Sequence, residues 1–366
     1  MGVRVSEIQR IPTSGARAAE RFRVDGRDLL AIPQLAVDVP DTAPGMNAGD
    51  SNTDLLLFAR EKGRYVPFAT IPAPGGEDAE FFTIGARSFL AVASIRTGAG
   101  PYEYATKSTI HEWIAGSFSE FQSVETYAAK QWKHWEIGER HFLAMAQGVD
   151  LPHIPGPNRD SVIYEWDGSG FVEFQQIPSR WAYNWHPFRV GDASFVAHAD
   201  HLAPSVLYRW DGDHFVEHQA LREQAGRAFA SFERDGDHYL VVAGLDAPPV
   251  VMRSDGNHFV PHQELPGLGA REVCALEHDG RLFVIRVNFI LGTPHDPEPE
   301  LHSQVYEWRD GALHLAAEFP TCGATDVEVV SSDSRVEFVV TNSLSPDVRF
   351  ATDTVVYAMS TTDAGA

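Results

Sequence analysis

A short pattern of hydrophobic and polar positions recurs along the chain. Each copy begins with alternating apolar and polar residues, passes through a polar turn, and ends in an unbroken apolar run. Alternation is typical of a β-strand with one buried face, and a short apolar run is typical of a strand buried on both faces. The clearest copies are residues 82–93, 135–146 and 188–199. The pattern predicts repeated pairs of adjacent strands.

Four fainter copies, from near Phe22, Phe232, Leu276 and Val329, extend the pattern, so that the seven starts are separated by 60, 53, 53, 44, 44 and 53 residues. A second signature, such as Ile163-Tyr-Glu-Trp-Asp-Gly168, follows the copies and predicts a third strand that turns through Asp-Gly into a fourth. A repeat of about fifty residues with four short strands is one propeller blade.

The two ends of the chain predict how the ring closes. Residues 354–357 resemble a third strand that no fourth strand follows, and residues 6–12 resemble a fourth strand that no blade precedes. Pairing them completes one blade and removes exposed sheet edges. The sequence therefore predicts an all-β fold, a seven-bladed β-propeller with four-stranded blades whose last blade is closed by the N-terminal strand. We expect residues 1–366 to form one domain.

The motifs Phe-x-Ile-Gly-x-x-x-Phe-Leu-Ala-Val-Ala, Ile-Tyr-x-Trp-x-Gly and Phe-x-x-x-Gln-x-Ile resemble the EAR repeat, also called the EPTP or epitempin repeat. The resemblance extends over nearly the whole chain. It implies a seven-bladed propeller like those of leucine-rich glioma-inactivated proteins and large adhesion-type receptors, which are secreted and bind protein partners. It also implies calcium at carboxylates around the channel. Unlike those relatives, this sequence shows no leucine-rich domain, signal peptide or disulfide framework.

Charge and composition restrict the partners. The net charge of −22 argues against nucleic acid and against an anionic membrane, because phosphate groups are bound by basic surfaces. The sequence contains no run of about eighteen apolar residues, the length that predicts a membrane span. Two cysteines, Cys274 and Cys322, cannot form a disulfide framework, and the N-terminal residues lack an apolar signal core. These features predict a cytoplasmic protein.

Aligning the repeats reveals positions that depart from the pattern. His198 and Arg286 occupy a position that is apolar in the other copies, and a buried polar group is costly unless it has a partner. They are candidates for function or for a structural hydrogen bond. Two residues further on, nearly every copy has a polar residue. Two interpretations remain open for these residues: they face a ligand, or they cap the backbone ends of the sheets. These residues are Gln34, Ser94, Gln147, Asp200, Asn288 and Thr341, with Gly244 in the fifth copy.

The first strands supply a candidate pocket. Strand alternation places Trp132, Trp185 and Phe229 on the same side as further polar residues, and Trp181 and Tyr183 precede Trp185. If that side faces the channel, its mouth has apolar walls, the usual make-up of a small-molecule pocket. The deeper polar residues are then His134, Arg21 and Glu328. The alternative is that the aromatic residues pack between blades.

Metal chemistry has two candidates. His198-Ala-Asp200-His201 offers imidazole and carboxylate ligands for zinc or iron. Calcium would need oxygen ligands such as Asp200, Asn288 and Asp326. No cofactor is expected apart from this possible structural calcium, since no phosphate-binding loop, dinucleotide fingerprint or Gly-x-Ser-x-Gly elbow is present.

Two functions of different classes remain. The favoured one is binding of an apolar or aromatic small molecule by a cofactor-independent cyclase, isomerase or lyase. Its catalytic residues would be His134, His198, Arg21 and Arg286, and its substrate-binding residues Trp132, Trp181, Tyr183, Trp185, Phe229 and Glu328. The alternative is a non-catalytic module that binds a protein or carbohydrate over its loops. Neither function involves nucleic acid or a membrane.

Overall fold

The computed structural model describes residues 2–154, 156–332 and 335–362, and all regular structure in these ranges is β. The same ranges contain no helix that is long and apolar enough to cross a membrane. The strands form seven four-stranded antiparallel sheets, which are the seven blades, and one small hairpin. The predicted fold class is confirmed.

The first strand, β1 (Gly2–Ser14), belongs to the last blade. The strands of blades 1 to 3 are then, in chain order, β2 (Glu20–Val24), β3 (Arg27–Ile32), β4 (Asp54–Glu61) and β5 (Arg64–Pro72); β6 (Gly76–Ile84), β7 (Arg87–Ser94), β8 (Ala105–Ile114) and β9 (Ser117–Tyr127); and β10 (Gln131–Ile137), β11 (Arg140–Ala146), β12 (Ser161–Trp166) and β13 (Phe171–Ile177).

Blades 4 and 5 contain β14 (Ala182–Val190), β15 (Ala193–Asp200), β16 (Ser205–Trp210) and β17 (Phe215–Arg222), then β18 (Gly226–Arg234), β19 (Asp237–Gly244), β20 (Val250–Ser254) and β21 (Phe259–Glu264). Blade 6 contains β22 (Ala270–His278), β23 (Arg281–Asn288), β26 (Glu300–Arg309) and β27 (Ala312–Cys322), with the hairpin β24 (Leu291–Thr293) and β25 (Asp296–Glu298) inserted. Blade 7 contains β28 (Ala324–Ser332), β29 (Arg335–Asn342), β30 (Ala351–Thr362) and β1.

The ring closes as the termini predict. Strand β1 pairs antiparallel with β30, from Gly2 opposite Thr362 to Ser14 opposite Ala351. The first strand of each blade contacts the first strands of both neighbouring blades, including β28 with β2 across the closure. These seven inner strands surround a central channel. The loops between second and third strands, and between fourth strands and the next blade, lie at one end of the channel, which we call the loop face.

The apolar core is divided among the interfaces between blades. In the described part of the chain, each of the seven blade–blade interfaces holds one cluster of buried residues. Between blades 3 and 4, for example, Phe142 and Ile163 pack against Trp185 and Val196. A blade therefore buries its faces only against its neighbours, so its core forms only within the ring.

Glutamine side chains join the outer strands of neighbouring blades. The amide of Gln219 in blade 4 donates to the carbonyl of Phe259 in blade 5 at 2.7 Å and accepts from its N–H at 2.8 Å. The same pair of hydrogen bonds recurs at four other interfaces, made by Gln9, Gln122, Gln175 and Gln263. The glutamine of the Phe-x-x-x-Gln motif thus stabilises the contact between blades.

The last repeat lies one residue further along than predicted. In blade 2 Phe82 pairs with Phe89, and the residues opposite each other at this position in blade 7 are Val330 and Glu337. The apolar run Phe338-Val339-Val340 contains no polar residue that marks the register. The residue that corresponds to Gln34 and Gln147 is therefore Asn342 rather than Thr341.

We predict that Gln219→Ala lowers the free energy of unfolding by about 1–3 kcal/mol, because it leaves the backbone N–H and carbonyl of Phe259, a buried residue, without these partners. Urea unfolding measures the change. The matched control is Gln176→Ala, because Gln176 bonds only the exposed Glu173 in the described contacts, and its change should stay within about 0.5 kcal/mol. Equal effects of the two substitutions would contradict the proposed role of the glutamine.

Candidate functional site

Among the described strands, five inner strands (β6, β14, β18, β22 and β28) begin at the loop face with an irregularity in their pairing. The pairing register shifts between Gly76 and Asp78, between Ala182 and Asn184, and between Ala270 and Glu272. A bulge of this kind leaves its extra residue unpaired and re-aims that side chain. The residues at the equivalent repeat position, which in blades 1 and 3 precedes the inner strand itself, are Arg17, Glu77, Lys130, Tyr183, Arg227 and Arg271 in blades 1 to 6.

These six side chains meet at the mouth of the channel, although they come from six blades. Glu77 forms ion pairs with Lys130 at 3.1 Å and with Arg17 at 3.5 Å. The ring of Tyr183 lies 5.3 Å from the Lys130 ammonium and 4.0 Å and 5.0 Å from the guanidinium carbons of Arg227 and Arg271. We call Arg17, Lys130, Arg227 and Arg271 the cationic mouth.

Burial shapes the electrostatics of the mouth. It lowers the pKa of Lys130 to about 7, with a further lowering from Arg17 and Arg271 against the attraction of Glu77. Burial also lowers the pKa of Arg227. The pKa of Glu77 is lowered, since Lys130, Arg17 and Arg271 together outweigh the opposing effect of burial. Glu77 thus pairs with two of the four cations, Arg17 and Lys130, while Arg227 and Arg271 face the ring of Tyr183.

Beneath the mouth the channel widens into a chamber of about 260 Å³. Its walls contain six carboxylates and the ammonium of Lys133. The carboxylates are those of Glu20, Asp78, Glu80, Glu272, Asp326 and Glu328. The chamber is therefore polar and acidic, whereas the sequence predicted a pocket with apolar walls.

Several of these carboxylates join neighbouring blades. Asp78 accepts from the N–H of Trp132 at 2.8 Å, and Asp326 accepts from the N–H of Ala19 at 2.7 Å. Glu80 accepts from the N–H of His134 at 3.0 Å. The inner strand is the free edge of its sheet, so its outward N–H groups need acceptors from outside the sheet. The preceding blade supplies them.

The environment of the chamber shifts the pKa values of its acidic residues. Burial, and then the neighbouring Asp326, raises the pKa of Glu272 to about 8. Burial raises the pKa of Glu20 and of Asp78 well above the ordinary values, with Glu80 as the next cause for both. The pKa of Lys133 is also raised, because attraction by Glu80 and Glu20 outweighs the effect of burial.

The predicted aromatic residues add little exposed surface to the chamber, although Trp185 and Phe229 border it. The side chains of Trp132, Trp185 and Phe229 are at most 3% exposed and pack in the clusters between blades. Strand alternation correctly placed them on one side, but the opposite side supplies most of the chamber's polar walls. Trp181 and Tyr183 do lie together near the mouth, with ring centroids 5.6 Å apart, and both are half-buried.

The predicted polar residues of the pocket do not converge. Arg21 forms an ion pair with Asp28 at 2.8 Å. His134 stacks on Phe82 with centroids 4.5 Å apart, and burial, with smaller effects of His141 and Lys133, lowers its pKa to about 3. Glu328 lies in the chamber, and burial raises its pKa to about 8.

His198 and Arg286 make structural contacts between elements. His198 is 1% exposed, lies 3.1 Å from the hydroxyl of Ser161 in blade 3, and packs against Trp185. Burial lowers its pKa to about 4. Arg286 donates to the carbonyls of Pro266 and Leu268 at 2.7 and 2.8 Å, which holds the loop before β22. Both exceptions to the apolar pattern therefore have local partners.

The predicted calcium ligands are separated and engaged. Asp200, Asn288 and Asp326 belong to blades 4, 6 and 7. Asp200 accepts from the backbone N–H groups of residues 180, 181, 202 and 203, and Asn288 accepts from Arg286 and donates to the carbonyl of His302. These three residues do not fit one calcium ion, so we derive no role for calcium from them. Calcium elsewhere and a cytoplasmic location stay predictions.

The polar residues at the ends of the second strands cap the sheets. Gln147 accepts from the N–H of Tyr127 at 3.0 Å and donates to the carbonyl of Asp160 at 2.8 Å. Gln34 and Asn342 make equivalent bonds, in which each accepts from an N–H of the preceding blade and donates to a carbonyl of its own blade. Of the two interpretations left open by the sequence, these contacts favour backbone capping.

The residues of the cationic mouth were missed at the level of sequence. Their signal was available, because aligning the repeats five residues before each start gives Arg17, Lys130, Arg227 and Arg271 in one column. Strict alternation assigns this column to the side away from the chamber. A bulge, which the sequence does not mark, turns Arg227 and Arg271 toward the axis, whereas Arg17 and Lys130 precede the paired part of their strands.

Comparisons with known proteins agree with the repeat pattern. The family model described as the EPTP domain matches residues 117–167, 170–211, 214–253 and 258–309, just over half of the chain. The human thrombospondin-type laminin G domain and EAR repeat-containing protein is 31% identical over 181 residues, 48% of this chain and 25% of that protein. Its mouse counterpart is 32% identical over 151 residues, 39% and 21% of the two chains. The matches span a quarter or less of these relatives.

These matches confirm the resemblance to the EAR repeat and overturn the favoured function. The matched family and the relatives are EAR-repeat proteins, a non-enzymatic family, so the hypothesis of a cyclase, isomerase or lyase is wrong. The expected small-molecule ligand has no support either. The catalytic roles expected of His134, His198, Arg21 and Arg286 are withdrawn with that hypothesis.

We predict that Glu272→Gln reduces the loss of stability as the pH rises. An unfolded glutamate ionises near its ordinary pKa of 4.5, whereas Glu272 keeps its proton in the folded state up to about 8. The contribution of Glu272 to the free energy of unfolding therefore decreases as the pH rises from 4.5 to about 8, and it is constant below and above this range. Glutamine removes this dependence, so the variant should gain about 1 kcal/mol or more over the parent between pH 5 and pH 8.

The measurement is urea unfolding at several pH values across this range. The control is Glu277→Gln on the same strand, because the Glu277 side chain is 62% exposed. Its curve should run parallel to that of the parent. A Glu272→Gln curve that also runs parallel would contradict the raised pKa.

Proposed function

We propose that this chain, which belongs to the EPTP-domain family, is a non-catalytic interaction module that binds an acidic segment of a protein partner over its loop face. The observation that carries the proposal is the cationic mouth, in which four basic side chains meet around Glu77 and the ring of Tyr183 in a chain of net charge −22. Desolvated cations without matching anions are unfavourable, and an acidic side chain from a partner would offset that cost.

The mouth is accessible from one side only. The chamber beneath it already disfavours negative charge, since burial and neighbouring acids raise the pKa of Glu20, Asp78 and Glu272, so an added carboxylate is favoured only at the outer side of the mouth. Three half-buried side chains are partly exposed at the outer side of the mouth: Arg271, Tyr183 and Trp181. Arginine, tyrosine and tryptophan are the residue types enriched at the energetic centres of protein interfaces.

The loops around the mouth form a preorganised rim. Arg96, on the loop after β7, bonds the Ser51 hydroxyl at 2.9 Å and the carbonyls of Asn47 and Ala48 at 3.1 and 2.9 Å, all on the loop after β3. Its guanidinium also lies 3.7 Å from the centre of the Tyr102 ring. A second group of buried residues, with Leu35, Phe289, Leu344 and Phe350 among them, joins the loops of three blades. A rim fixed before binding loses little conformational entropy when a partner binds.

The test is selection of displayed random peptides on the purified chain. We expect the selected peptides to be enriched in Asp and Glu, and their affinity to fall as the salt concentration rises. Arg271→Glu should weaken their binding at least about tenfold, because it places a negative charge in the mouth. The charge-matched control is Arg10→Glu on the outer strand β1, where the Arg10 side chain is 59% exposed, and this variant should bind like the parent.

Circular dichroism confirms that both variants are folded. Selected peptides without acidic residues, or equal losses in the two variants, would contradict the proposal. Heparin fragments serve as a second probe of an anionic ligand. Binding of heparin at the mouth without binding of any acidic peptide would also contradict a protein partner.

A further inference from the structure

The hairpin of β10 and β11 in blade 3 carries three potential metal ligands on one face. His134 and Glu136 are two residues apart on β10, and Glu136 lies directly opposite His141 on β11. Side chains two residues apart on a strand point to the same side, and so do directly opposed residues of an antiparallel pair. The three side chains therefore meet at the hairpin end of the blade, opposite the loop face.

The distances match those of a zinc site. His134 Nε2 lies 3.3 Å from His141 Nδ1, and the latter lies 3.3 Å from Glu136 Oε1. The ligand atoms of the three residues all lie within 4.8 Å of one another. Tetrahedral zinc with metal–ligand distances of about 2.0–2.1 Å holds its ligand atoms about 3.3–3.4 Å apart. Only Glu136, which is 53% exposed, has to move to complete the set.

The positions of the two histidines are constrained. The His134 ring is stacked on Phe82 of blade 2 at 4.5 Å with an interplanar angle of 12°, and the His134 and His141 rings are stacked at 5.5 Å. The His141 side chain is 18% exposed and that of Glu136 is more exposed, so the site opens to solvent on the Glu136 side. Two ligands are thus preorganised and the third closes from solvent.

The other blades show that the repeat does not require these residues. At the three equivalent positions blade 5 has Ser231, Glu233 and His238, which keeps the cross-strand pair of Glu and His at 3.8 Å but has no second imidazole. Blade 1 uses the same positions for an ion pair between Arg21 and Asp28. A cross-strand polar pair is therefore a structural feature of this hairpin in several blades. In blade 3, His134 adds a third potential ligand to the pair of Glu136 and His141.

We propose that His134, Glu136 and His141 bind one Zn²⁺ ion, with a water molecule in the fourth position. Two imidazoles and one carboxylate are a common ligand set for zinc, and imidazole nitrogen excludes the hard cations calcium and magnesium as the preferred occupants. The site lies on the side of the ring away from the cationic mouth. It is independent of the proposed binding of an acidic partner.

The test uses the full chain after dialysis against a chelator. Isothermal titration with ZnCl₂ gives the number of zinc ions bound, and Co²⁺ as a substitute gives the visible absorption of a tetrahedral site. We expect His141→Ala to bind one equivalent fewer than the parent and to lose the tetrahedral Co²⁺ absorption. Glu136→Gln should weaken zinc binding at this site, because it replaces a carboxylate ligand by a neutral amide.

The matched control is His238→Ala in blade 5, which removes a histidine from the equivalent hairpin position. It should keep the zinc stoichiometry of the parent. Melting temperatures of the metal-free proteins show that the variants are folded, and zinc should raise the melting temperature of the parent and of His238→Ala only. Equal stoichiometry in the parent and His141→Ala, or an equal loss in His238→Ala, would overturn the proposal.

Discussion

The structure depends on one constraint, which is that each blade must satisfy both faces and both edges against its neighbours. The apolar faces are buried in seven interfaces, of which the Phe142–Trp185 contact region is one example. At the outer edge, glutamines such as Gln219 bond the backbone of the next blade. At the inner edge, carboxylates such as Asp78 accept from the N–H groups of the next inner strand. Pairing of β1 with β30 extends this arrangement to the last interface.

The same constraint produces the electrostatics of the channel. Carboxylates that bond the inner edges are brought together around the axis, and burial together with mutual repulsion raises the pKa of groups such as Glu272 and Glu20. The cationic mouth forms the layer above them. The acidic chamber therefore has a structural role in joining blades, while the cationic mouth is the feature that a partner can contact.

Local features predicted the fold better than the site. Repeat spacing, Asp-Gly turns and the incomplete termini were sufficient for seven blades and their closure, because each of these signals is local to one strand pair. The same signals did not predict where Trp132 and Trp185 lie, because alternation separates the two sides of a strand without showing which one faces the channel. The predicted register of the last blade was wrong by one residue for a related reason, because the apolar run near Phe338 contains no polar residue that marks the register.

The sequence by itself determined the β-propeller, the number of blades and the closing strand, because hydrophobic periodicity and turn residues act over a few neighbouring positions. Only the tertiary structure decided which residues share a site. Arg17, Lys130, Arg227 and Arg271 lie in four different blades, and they meet because the closed ring brings the starts of the inner strands to a common axis. Their charges perturb one another only at that distance and degree of burial, and neither property is encoded in the spacing along the chain.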